Sequence, residues 1–187
     1  MRGMSLCLIG VVMLLGRPAW AEPRGDADRA PEELLTLAVV TCPVGAYRLT
    51  YDPPLRNTPQ DVRVRGAGAY SNCYTLLGEP VTSASEEADF VRPNYQCSDL
   101  LNINPVTSDL IWNTGEVSTL QVTQVVVRVD GPLLVATHTG TVKSGKFAGA
   151  TLVNTFTFLA TDLDACSSPE GLRGMNAAQV LVLTRVL

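Results

Sequence analysis

After residue 36 the chain alternates with period two for most of its length. Tyr47, Leu49 and Tyr51 share one parity and Arg48 and Thr50 the other, which predicts a half-buried strand. Pro53 and Pro54 are expected to stop it. Val62 and Val64 alternate with Asp61, Arg63 and Arg65 in a second strand that runs toward Cys73. Leu110, Ile111 and Trp112 predict a short apolar strand closed by Asn113-Thr114-Gly115. The strongest signal is 117–160. Leu120–Val129, Leu133–Val142 and Phe147–Leu159 are rich in β-branched residues, and turn residues at Asp130-Gly131 and Lys143–Lys146 separate them. They predict a meander of three antiparallel strands. In Gln179–Val186, Val180 and Val182 alternate with Leu181 and Leu183, which predicts a last strand buried on both faces. Residues 78–94, with Gly, Pro, Ser and four acids, read as loop with one short strand near Phe90.

No helical period of useful length appears in 37–187. Strands at these intervals predict an all-β domain, either a two-sheet antiparallel β-sandwich, the favoured reading, or a β-barrel.

The first residues change the picture of where the domain works. Arg2 precedes an uncharged apolar run from Met4 to Leu15, then Gly16-Arg17-Pro18 and the small-x-small site Ala19-Trp20-Ala21. This is the layout of a secretory signal peptide over 1–21, and its apolar run is shorter than the ~20 residues of a transmembrane helix. Residues 22–36 are charged and contain Pro and Gly, and are expected to be a flexible tether before a single domain over 37–187. Without Arg2 and Arg17 the chain has 12 basic against 18 acidic side chains, a net charge of −6. That balance argues against nucleic acid as a partner. It leaves an extracellular protein or a cell-wall glycan, and no stable membrane span after cleavage.

Cys42, Cys73, Cys97 and Cys166 remain once the leader and its Cys7 are removed. An even number of cysteines in an exported chain predicts disulfides. Spacing alone leaves three connectivities open. The favoured pairs are Cys42–Cys73, linking neighbouring strands, and Cys97–Cys166, tying the middle of the chain to its late part. With no C-x-x-C and a single histidine, no metal and no cofactor are implied.

Several segments stand in a familiar order. They are Cys42-Pro43-Val44-Gly45, the stretch from Tyr51 through Pro53-Pro54 to Val62, Ile111–Gly115, Gly140–Gly149, and the run from Asp162 through Cys166 to Pro169. In these the chain resembles a group of small secreted, β-rich actinobacterial proteins with four cysteines. The resemblance covers 40–187 and implies export, strands and disulfides. It implies no activity, because its motifs are turns and cysteines.

Candidate chemistry is sparse. His138 is the only histidine and lies on a strand with the parity of Leu134 and Ala136; without a G-x-S-x-G elbow it reads as a strand histidine, not a catalytic base. Glu86, Glu87 and Asp89, like Asp162 and Asp164, fall in loop-like sequence and read as solvated acids. Trp112 reads as core. Tyr70, Tyr74 and Tyr95, near loops and cysteines, are candidates for an exposed contact surface, and Arg48, Arg63 and Arg65 for a basic stripe, balanced by Asp61. No catalytic residue is assigned. The sequence predicts a secreted, non-catalytic binding or surface-associated module. The alternatives are a secreted protease inhibitor presenting loops 52–60 and 78–95, and a weak hydrolase using His138 or an acid pair.

Overall fold

A computed structural model describes residues 36–76 and 78–186. The expected signal peptide and tether lie outside the described residues, apart from Thr36, which opens the first strand. Ten strands follow: β1 (Thr36–Cys42), β2 (Val44–Leu55), β3 (Gln60–Ser71), β4 (Tyr74–Thr75), β5 (Ala84–Tyr95), β6 (Thr107–Trp112), β7 (Val117–Asp130), β8 (Leu133–Gly145), β9 (Thr151–Leu159) and β10 (Leu172–Val186). Short 3-10 helices occupy Cys97–Leu101 and Ala160–Ser167.

All pairings are antiparallel, and the order β2-β3-β5-β6-β7-β8-β9-β10 returns on itself because β10 also pairs with β2. Eight strands therefore close an up-and-down barrel. β1 and β4 stand outside the ring. β1 continues the line of β2 past Pro43 along the second half of β10, and β4 pairs with β1. The favoured two-sheet sandwich is thus incorrect and the barrel alternative is the observed architecture. The reason is the long β10: its residues Leu172–Ala178 pair with β2 on one edge while Ala177–Thr184 pair with β9 on the other. That pairing joins the first and last strands of the ring, which a sandwich would leave unpaired.

Other differences are local. β2 runs through Pro53 and Pro54 to Leu55 instead of stopping before them; its register with β3 ends at Asp52, so neither proline is asked for a ladder hydrogen bond. The stretch expected to be loop, 78–94, is largely the twelve-residue β5, which runs on to Tyr95 and whose acids masked its alternation. β8 continues through Lys143–Gly145, and the turn falls at 146–150. In β10, Leu181 and Leu183 are buried but Val180 is exposed, so the strand has one buried face and not two.

Along most strands the inward parity is mainly apolar. The interior divides into two clusters. One holds Val40, Leu110, Trp112, Leu120, Val142, Leu152, Leu181 and Leu183; the other holds Tyr51, Val62, Val64, Tyr95, Leu134, Phe156, Phe158 and Met175. A disulfide lies in each cluster: Cys42–Cys73 joins the β1–β2 junction to the β3–β4 junction, and Cys97–Cys166 joins the two 3-10 helices. In the first cluster Trp112 packs edge-on to Phe147 at 5.3 Å, and its indole N–H donates to Ser118 Oγ at 2.8 Å. The outward parity carries Arg48, Asp61, Arg63, Arg65, Glu87 and Asp89, a charged face unlike the lipid-facing band of an outer-membrane barrel. Among the described residues no helix is long and apolar enough to cross a membrane.

Candidate functional site: the barrel lumen

An eight-stranded barrel is just wide enough to be filled by side chains or to hold one small ligand. Here small residues decide the matter on one wall. Gly66 and Gly68 sit at inward positions of β3, and the Tyr47 ring lies against both; a Cβ on Gly66 would come 2.1 Å from Tyr47 Oη, and one on Gly68 would come 2.8 Å from Glu86 Cγ. Ala88 on β5 and Ala136 on β8 are also small and inward. The space left is a cavity of about 710 Å³ lined by Tyr47, Tyr51, Val64, Ala136, Phe156 and Phe158 among others; Glu86, His138 and Asn154 are polar members of its lining, and Glu87, Asp89, Arg92, Thr107 and Ser108 also border it.

The cavity meets the surface where the barrel wall parts. β5 pairs with β6 only over Ala84–Glu86, and β6 pairs with β7 only as far as Gln121. Beyond those points the second edges of β5 and β7 diverge, and the segment 96–106 passes between them with one further backbone bond, Val122 N–H to Val106 O. Phe90 has the inward parity of its partner Val64, yet Val64 is buried and Phe90 is 42% exposed. Solvent therefore reaches the inner face at this seam. Arg92 lies there too, its guanidinium 5.2 Å from the centre of the Tyr95 ring.

Between the two apolar clusters runs a polar belt. Tyr70 on β3 reaches across the lumen: its hydroxyl donates to Glu86 Oε1 at 3.0 Å and accepts from Asn154 Nδ2 at 2.6 Å. Gln179 Nε2 donates to the carbonyls of Ala46 and Ala69. Two acceptors remain without a donor, Asn154 Oδ1 and Gln179 Oε1. Glu86 is 7% exposed, and burial raises its carboxyl above the ordinary range, against the Tyr70 hydrogen bond that lowers it. Burial and then the nearby Glu86 raise the Tyr47 hydroxyl, and the same two effects raise Tyr70. Burial alone lowers the His138 imidazole to about 4. His138 pairs in register with Asn154 and lies 4.9 Å from the Phe156 ring.

The residues expected to form a surface are distributed differently. Tyr70 and Tyr95 are buried, because inward strand parity and packing beside the disulfides put them in the barrel; only Tyr74, on β4, is exposed. They make no common exposed platform. Arg48, Arg63 and Arg65 do share the outward face of β2 and β3, but the partner is Asp89 on β5, not Asp61: Arg63 grips both its carboxylate oxygens at 2.6 Å and Arg65 lies 3.8 Å away. That contact holds Asp89 below the usual carboxylate range. Glu86 is no solvated loop acid, and the inhibitor loop expected over 78–95 is largely strand. Glu86 went unnoticed as a lumen residue because, on its own strand, it stands at an apolar parity between Ala84 and Ala88 inside an acidic stretch. That parity was the available signal. Among the described residues no three His, Cys, Asp or Glu side chains gather as a metal site.

The chain matches no known protein-family model, no curated protein and no solved structure.

Proposed function

We propose that the domain is a non-catalytic binding module that takes a small, largely apolar molecule into the barrel through the seam between β5 and β7. One observation carries this reading: the 710 Å³ chamber with aromatic and aliphatic walls and a few convergent buried polar groups. Such a chamber is within the size range of small-ligand sites, and its few polar groups would orient the ligand. An apolar molecule fits it better than a glycan, since its wall is mostly apolar and offers few hydrogen-bonding groups to a polyhydroxyl ring. The two disulfides support work in an oxidising, extracellular setting.

The test is titration of the oxidised protein with Nile red, an uncharged apolar dye, followed by fluorescence, alongside the variant Ala88→Phe. Ala88 lines the chamber beside the seam and is half-buried. Saturable binding by the wild type, weakened at least about tenfold by the added ring, is the expected result. Absent binding, or binding indifferent to Ala88→Phe, would remove the reading.

A further inference from the structure

The floor of the chamber contains acceptors in excess of donors, and this selects the head group of a ligand. The Asn154–Tyr70–Glu86 chain has a direction. Asn154 spends an N–H on the Tyr70 oxygen, and Tyr70 spends its only O–H on Glu86. This leaves Asn154 Oδ1, on a side chain 3% exposed, with no donor. Turning the amide over would set its oxygen against the Tyr70 oxygen, whose proton is already committed. Glu86 has no basic partner among the described residues. Burial without a countercharge already raises the Glu86 carboxyl, the mark of an ionised form that lacks a cation, and a buried acceptor without a donor adds to the cost.

Among the described residues no side chain of the lumen is placed to supply the missing positive charge. His138, whose imidazole titrates at about 4, is neutral near pH 7. Arg92 lies six positions along β5 from Glu86, about 20 Å at strand spacing, and rests on Tyr95 at the seam. The other titratable groups facing Glu86 are the hydroxyls of Tyr47 and Tyr70, both held protonated by burial. Above the floor the walls present the rings of Tyr47, Tyr51 and Phe156, whose faces attract cations.

We infer that the ligand is an apolar amine, bound with its ammonium group at Glu86 and Asn154 and its apolar body among the aromatic rings. The inference rests on the chamber being the binding site. An ammonium group offers three donors and the absent countercharge, so it satisfies the carboxylate and the Asn154 oxygen together. A neutral alcohol satisfies one acceptor and leaves the charge unpaired. A carboxylate is repelled.

Three probes with one apolar body separate the claims: 4-phenylbutylamine, 4-phenylbutan-1-ol and 4-phenylbutanoate, titrated calorimetrically at pH 8 into the oxidised protein. The amine is expected to bind at least about tenfold more tightly than the alcohol, the worth of a charge-assisted hydrogen bond, and the carboxylate most weakly. In Glu86→Gln the advantage of the amine over the alcohol should disappear while the alcohol's own affinity is kept. The wild-type ranking stands without any variant, so a Glu86→Gln protein that fails to fold does not protect the inference. An alcohol that binds as well as the amine overturns it and leaves the chamber as a binding site. An amine preference that survives Glu86→Gln overturns the assignment to Glu86. Binding of none of the three overturns the inference, and Nile red then reports separately on the chamber.

Discussion

His138 gives a direct measure of how dry the barrel interior is. It is the only histidine in the chain, its side chain is inward, and no described hydrogen bond or ion pair compensates its burial. Burial lowers its pKa from 6.5 to about 4. The unfolded chain protonates as the pH falls through 6.5, while the folded protein resists protonation until about 4. Folding stability from this group is therefore complete above 6.5 and is lost as the pH falls toward 4. Integrating the linkage, this loss is about 2 kcal/mol at pH 5 and about 3 kcal/mol at pH 4. The assay has two arms. The His138 imidazole Cε1–H resonance, followed by proton NMR from pH 8 to pH 4, should barely move above pH 5. Urea unfolding of the wild type and of His138→Gln over the same range should show the wild type losing stability relative to the variant by those amounts. A midpoint near 6.5 in the folded protein, or parallel stability curves for the two proteins, would refute the picture of an enclosed lumen at this residue.

Three further perturbations probe the packing. Gly66→Ala should destabilise the barrel by about 1–3 kcal/mol through overpacking against Tyr47; in a denaturation double-mutant cycle with Tyr47→Leu, most of that cost should vanish, and an additive result would contradict the contact. Ser118→Ala leaves the buried Trp112 N–H without its acceptor, and should cost about 1–3 kcal/mol in urea denaturation; a near-neutral outcome would mean that the indole finds another partner. Opening Cys97–Cys166, by Cys97→Ser with Cys166→Ser, releases a loop of 69 residues and should cost about 4 kcal/mol by loop-closure entropy, measured as a lower midpoint in denaturant. An unchanged midpoint would count against that account.

Much of the wall was legible from the strand alternations. Tyr47/Leu49/Tyr51, Val62/Val64 and the meander after Val117 place their apolar parities inward as local pattern requires, since successive side chains in a strand point to opposite faces. β5 was hidden because a strand is recognised by an apolar face, and the inward parity of β5 carries Glu86 and Arg92, with Phe90 at the open seam. The lumen was hidden for a related reason. Tyr70 and Glu86 meet on the neighbouring strands β3 and β5, but Asn154, 84 residues from Tyr70, joins them only when β9 is brought round into the same ring.

The sequence by itself determined that the domain is built of antiparallel strands with an apolar side and a charged side, and that four cysteines were available to staple it. Only the tertiary structure decided between a sandwich and a barrel, because period two is the same in both, and closure depends on β10 offering its free edge to β2 more than a hundred residues away. The same closure set the function we propose. Gly66 and Gly68 look like weak strand residues one at a time, and so do Ala88 and Ala136; in the closed barrel the glycines make room for the Tyr47 ring, and the alanines line the chamber.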